Sequence, residues 1–139
     1  MAYWLVKSEP DAFSWDQHVA AGVEPWTGVR NHGAKLNLAA MRLGDHALFY
    51  HSNIGKEAVG VVEVVREAYP DPSAGAGAPW VCVDLRAVAP LPQAVTLAAM
   101  KAEPLLAELA LLRQSRLSVS PVSGAHWRHI MGMAGWAGA

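Results

Sequence analysis

At 139 residues, with 53% hydrophobic and 17% charged side chains and a formal net charge of −1, the chain has the size and balance of one folded domain, 1–139. That composition excludes a disordered tail, and the near-neutral charge excludes a protein that grips a long duplex through many phosphates, although a local basic site remains compatible with it. A single cysteine, Cys82, excludes an internal disulfide framework or a thiolate metal cluster.

The chain opens on "AYWLVK", a short run of strand formers that the Glu9-Pro10 pair ends in a turn. No stretch reaches the roughly 20 apolar residues that span a bilayer, and this start lacks the pattern of a secretion signal, so a cytoplasmic protein without a membrane partner is expected. "FSWDQHVAA" carries a helix start, with Ser14 as N-cap and Gln17 in the capping-box position, and the helix should stop at Gly22. "WTGVRNHGAK" follows at residues 26 to 35. It sets a tryptophan, a glycine, an arginine and an asparagine ahead of an amphipathic helix over 31–42, whose apolar set is Ala34, Leu38 and Met41.

"HALFYH" and "EAVGVVEVVREA" read as two antiparallel strands joined by "SNIGK". "YPDPSAGAGAP" has the proline and glycine content of a flexible loop, and "WVCVDLRAV" alternates as a fourth strand. From "TLAAMKAEPLLAELALLRQS", Leu105, Leu109 and Leu112 repeat at helical spacing, with Pro104 placed in a first helical turn. "RLSVSP" is a short strand candidate. Ser123 then caps a last helix whose stripe is Trp127, Ile130, Met131 and Ala134, and the tail "GMAGWAGA" is expected to fray. Strands joined by short connections, with helices before, between and after them, predict an α+β domain around a strongly curved sheet or small barrel.

Catalytic patterns are missing. None of the six histidines stands at ligand spacing from a matching carboxylate or cysteine, so no metal site is expected, and no nucleophile elbow, P-loop or dinucleotide fingerprint occurs. Trp26 reads from the residues alone either as a lid over the core or as a stacking platform. Arg30 reads as a partner of Asp16 or Glu24 or as a fork for a phosphate or base edge, and Asn31 as a helix cap or a base-reading amide.

"WTGVRNHGAK", "YWLVKSEP" (3–10), "FYHSN" (49–53), "VVREAYPD" (64–71) and "LLRQSRLSVSPV" (111–122) occur in an order and spacing that closely resembles the EVE domain family, across residues 3 to 131. The resemblance implies a PUA-like fold, a curved mixed or antiparallel sheet or pseudo-barrel with peripheral helices, akin to YTH and ASCH domains. It also implies a nucleic-acid-binding module, with no cofactor and no catalysis, that reads a modified base in DNA or RNA through a small aromatic-lined pocket. On that implication the ligand site is expected to gather Lys7, Ser8, Trp26, Gly28, Arg30 and Asn31 with Tyr50, His51 and Ser52 of "FYHSN", and with Arg116 and Ser118. Arg113 and Arg116, with Ser115 and Ser118, read from the residues as phosphate ligands, and Arg113 equally as the cation of a helix C-terminus. Two competing readings are a base-processing hydrolase with His51 or Asp45 as proton carrier, and a protein-interaction module.

Overall fold

The computed structural model describes residues 1–137. Its elements in chain order are β1 (Tyr3–Ser8), α1 (Trp15–Ala21), β2 (Val23–Pro25), α2 (His32–Ala40), β3 (His46–His51), β4 (Glu57–Pro70), β5 (Val81–Thr96), α3 (Leu97–Lys101), α4 (Ala110–Arg113), β6 (Val119–Val122) and α5 (Gly124–Met133), with a 3-10 turn at Pro104–Leu106. Local chemistry explains most boundaries. Ser14 and Gln17 form the reciprocal capping box of α1, Asn31 caps α2 by accepting the Ala34 N–H, and Ser123 caps α5. Asn53, Gly55 and Lys56 turn "SNIGK" through positive φ between β3 and β4.

The strands pair in the order β2-β5-β4-β3-β1-β6 as one open, mixed sheet. β1 runs parallel to β3, Tyr3 facing His46 and Ser8 facing His51, and every other pairing is antiparallel. A parallel pair needs a long crossover, and the crossover here consists of α1, β2 and α2. The "WTGVRN" loop therefore lies on the face that α1 and α2 cover. The long strands β4 and β5 slip register repeatedly, beside Gly60 and Pro90 among other places, and such bulges increase local twist and bend a sheet.

Two cores lie on opposite faces. One gathers Leu5, Leu48, Met100, Leu106 and Ile130 beneath α3, the 3-10 turn, α4 and α5; the other gathers Val6, Trp15, Leu38, Phe49 and Leu85 beneath α1 and α2. Burying each such side chain stabilises the fold by about 1.5–3 kcal/mol.

Three expectations change. The helix expected over Leu105, Leu109 and Leu112, with Pro104 in its first turn, is instead the 3-10 turn and a separate α4, because Leu109 between them has a non-helical backbone at φ −59 and ψ 131. β2 has no counterpart among the expected strands; at the sheet edge it tolerates Pro25, whose missing N–H faces no neighbour. In β3 both faces are core, so neither the Phe49 nor the Tyr50 side lines a cavity: a strand between two neighbours, with helices over both faces, buries alternate residues equally. Of the tail expected to fray, 138 and 139 lie outside the described residues. No helix among the described residues is long and apolar enough to cross a membrane, and no group of three potential metal ligands occurs among them.

Candidate functional site

The loop 26–31 is built on a buried carboxylate. Trp26 donates its N–H to Val83 O at 2.8 Å, which carries the β2–β5 pairing one residue further, and Gly28 then turns at φ +85. The Gly28 N–H donates to Asp71 Oδ2 at 2.8 Å, and Arg30 Nη1 reaches the same oxygen at 3.1 Å. Asp71 Oδ1 accepts the Ser73 N–H at 2.7 Å and its hydroxyl at 2.6 Å, while Arg30 Nη2 donates to Ser73 Oγ at 3.1 Å. Burial works to raise the Asp71 pKa, but the bonds from Ser73, Gly28 and Arg30 outweigh it and hold the carboxyl at about 2. A charged Asp71 thus fixes the loop at neutral pH.

Between this loop and the end of β1 opens a cleft of about 630 Å³, a size that suits a nucleoside. Phe13, Pro25, Trp26 and Val29 give it an apolar lining, and Lys7, Ser8, Glu24, Asn31 and Ser118 give it polar groups. Trp26 is 8% exposed. Behind it His18 lies roughly parallel, ring centres 5.9 Å apart, and Phe13 and Phe49 meet it edge-on at 6.3 and 5.6 Å. Trp26 is therefore core and cleft wall together.

His18 is fully buried, with Nε2 donating to Leu85 O at 2.8 Å and Nδ1 without a hydrogen bond among the described residues. Burial pushes its pKa down, against the Leu85 bond and the nearby Glu24. Burial likewise lowers the pKa of Lys7, whose Nζ donates to Ser115 O at 2.8 Å. The Ser8 hydroxyl donates to Phe13 O at 2.5 Å and ties the 9–13 turn to the end of β1.

Of the residues expected at the site, the fold brings Lys7, Ser8, Trp26, Gly28, Arg30, Asn31 and Ser118 to one cleft. "FYHSN" does not border it. Tyr50 is 3% exposed within the opposite core; His51 Nε2 accepts the Trp15 N–H at 3.0 Å and so caps the start of α1; and Ser52 donates its N–H to Ser8 O at 2.9 Å. The reason is the central position of β3, whose faces and end are all taken by packing. Arg116 lines a second concavity instead. Arg30 pairs with Asp71 and not with Asp16 or Glu24, so much of its donor fork is already used. Asn31 caps α2 and lines the cleft as well.

Asp45 is likewise engaged elsewhere. It accepts from Trp4 Nε1 at 3.0 Å and from the N–H groups of Ala2 at 3.1 Å and Arg42 at 3.0 Å, an arrangement that holds the chain start to the α2–β3 turn. Neither proton carrier of the hydrolase reading thus faces the cleft.

Sequence reasoning missed Asp71, Phe13 and Glu24. For Asp71 a local signal existed, because "DPS" suits an aspartate that binds the backbone two residues on. Nothing local announced its bond to Gly28, 43 residues away.

The sequence model of the EVE domain matches residues 2–133. The chain belongs to the EVE domain family. Human thymocyte nuclear protein 1 is 30% identical over 95% of this chain and 73% of its own length. A crystal structure of the human THYN1 protein in complex with DNA containing 5-methylcytosine superposes with a TM-score of 0.90 at 29% identity, covering 96% of this chain and 98% of that one. An Agrobacterium tumefaciens protein of known crystal structure is similar at 45% identity and TM-score 0.98, over 100% of this chain and 97% of its own. A Zygosaccharomyces rouxii YTH domain, solved with N6-methyladenosine RNA, shares only the fold, at 12% identity and TM-score 0.61 over 96% of this chain and 86% of that one. This EVE domain has a PUA-like α+β fold built on an open sheet, not a closed barrel.

Proposed function

We propose that this EVE domain binds nucleic acid by holding one modified nucleobase in the cleft beside Trp26. The observation that carries the reading is the cleft itself, where an aromatic wall and donors and acceptors stand together at nucleoside size, in a chain whose human relative was crystallised with DNA containing 5-methylcytosine. Taking a base out of its stack costs a few kcal/mol, and aromatic contact returns about 1–3 kcal/mol per base. With Trp26 and Val29 both mostly enclosed, Phe13 and Pro25 must supply the remaining apolar contact, which suits a base carrying an added methyl group. Ser8, Glu24, Asn31 and Ser118 offer the polar partners for its edge.

Binding, not turnover, is the reading favoured by the geometry, since His51 and Asp45 are committed to structural bonds. Titration of the purified protein with 5-methylcytosine and N6-methyladenine nucleosides, beside their unmodified counterparts, tests it. We expect saturable binding to a modified nucleoside, tighter than to its plain form, with the nucleoside recovered unchanged. Equal affinity for modified and plain forms would count against a reader, and a chemically altered product would favour the hydrolase.

A further inference from the structure

A second, smaller concavity of about 330 Å³ adjoins the first where the 114–117 turn meets the start of α2, and it is lined by Asn31, Gly33, Gln114, Ser115, Arg116 and Leu117. Asn31 lines both clefts, and Ser118 in the first follows directly on the turn that forms the second. The bond from Lys7 Nζ to Ser115 O, 2.8 Å, fixes that turn to the first cleft. Gly33 keeps the space open: a Cβ there would stand 3.2 Å from Asn31 Oδ1 and 3.4 Å from Leu117 Cδ1.

The two clefts differ in charge. Glu9 and Glu24 line the first together with Lys7 and Arg30, whereas Arg116 is the one charged residue lining the second among the described residues. Arg30, Arg42, Arg86 and Arg113 each stand near a carboxylate; Arg116, like Arg66 and Arg128, is exposed and makes no ion pair among the described residues, and of these three it is the one that lines this cleft. The first cleft thus carries charges of both signs, while in the second an anion meets Arg116 with no lining carboxylate opposing it, and the amide of Gln114 and the hydroxyl of Ser115 are at hand as donors.

We propose that the second cleft receives the phosphate next to the nucleotide whose base occupies the first, with Arg116 as its counter-charge. The proposal rests on the base-binding reading of the first cleft and adds its continuation along the strand. Such a contact positions the strand without reading sequence. The domain then binds an oligonucleotide more tightly than the free nucleoside, through a contact that salt weakens and base identity does not.

The experiment compares wild type with Arg116→Gln on three probes: the modified nucleoside, a short single strand carrying the same base, and inorganic phosphate. One phosphate contact adds a salt slope of about 0.7–0.9, which at about 0.1 M salt amounts to roughly fivefold to eightfold in affinity. We expect Arg116→Gln to weaken the oligonucleotide by that factor, to lower its salt slope by about 1, and to leave nucleoside affinity unchanged. An unchanged oligonucleotide affinity and slope overturns the proposal while leaving the base reading intact. Equal losses for nucleoside and oligonucleotide also overturn it, because Arg116 would then act within the first cleft. Saturation by inorganic phosphate that depends on Arg116 but does not compete with the oligonucleotide overturns it in favour of a free-anion site. Conversely, if the wild type ignores the nucleoside but Arg116→Gln still weakens the strand, the base reading fails and the phosphate contact stands.

Discussion

On one side of the sheet Leu5, Leu48, Met100, Leu106 and Ile130 fill a core in which aliphatic chains predominate, closed over by α3 to α5; on the other, Trp15, His18, Trp26 and Phe49 interlock as rings and end at an open cleft. Aliphatic side chains adapt to one another and carry no polar atom that needs a partner, so that face can be sealed. Rings are stiff and bring polar edges with them. They leave the His18 Nδ1 without a bond and part of Trp26 uncovered, and they demand exact-fitting neighbours such as Gly60, where a Cβ would lie 2.5 Å from the Trp15 ring. Both faces thus stabilise the fold, and the ring-lined one also forms the wall of the cleft.

The sharpest way to break that contrast is Trp26→Ala. Loss of a mostly buried ring should cost about 3–5 kcal/mol of stability and also weaken nucleoside binding, read by thermal melts and titration of the same sample. A variant that melts like wild type would show that Trp26 belongs to the cleft alone. Ile130→Ala, on the sealed face, should cost about 2–5 kcal/mol while the surviving folded protein binds the nucleoside as before. Loss of binding per folded molecule would mean that the faces are not independent.

Asp71→Asn sharpens the comparison on the cleft side. The wild-type carboxyl, at about 2 when folded against 3.8 otherwise, contributes on the order of 2 kcal/mol. Its folded pKa is depressed, so the contribution is present above pH 3.8 and is lost as pH falls towards 2. Denaturant melts should therefore show wild type and Asp71→Asn converging across that window, with the variant already weaker in nucleoside binding at pH 7. Parallel curves would place the stabilisation elsewhere.

The smallest effect is expected at His18. Burial lowers its pKa from 6.5, so the unfolded chain takes up a proton first and stability declines as pH drops below 6.5; His51 is shifted in the same direction, also by burial. His18→Gln should flatten part of the decline between pH 7 and 5 and leave the part due to His51. An unaltered decline would show that His18 does not titrate with folding.

Much of the fold could be read without coordinates, and the successes share a length scale. The Ser14–Gln17 capping box, the Asn31 and Ser123 caps and the "SNIGK" turn each concern residues within four positions of one another, where dihedral preference and a single hydrogen bond decide the outcome. The apolar spacing of Leu105, Leu109 and Leu112 does not yield one helix, because Leu109 itself is non-helical, at φ −59 and ψ 131, and separates the 3-10 turn from α4. The cleft residues were identified in part by the quoted motifs, which marked Lys7, Ser8 and the 26–31 loop as unusual strings but equally marked Tyr50, His51 and Ser52, which pack or cap instead.

The sequence by itself determined most of the segments that become strands and helices, how most of them begin, and that an uncommon aromatic and polar loop precedes α2. Only the tertiary structure decided what that loop touches. The parallel pairing of β1 with β3 sends α1, β2 and α2 across one face and sets the loop beside the end of β1; the β4–β5 hairpin carries Asp71 to Gly28 across 43 residues; and the placement of β3 inside the sheet removes "FYHSN" from the site. Dihedral preferences and caps act over a few residues and leave their mark in local sequence, whereas strand order and the burial of a charge depend on which distant surfaces meet, and no short string records that.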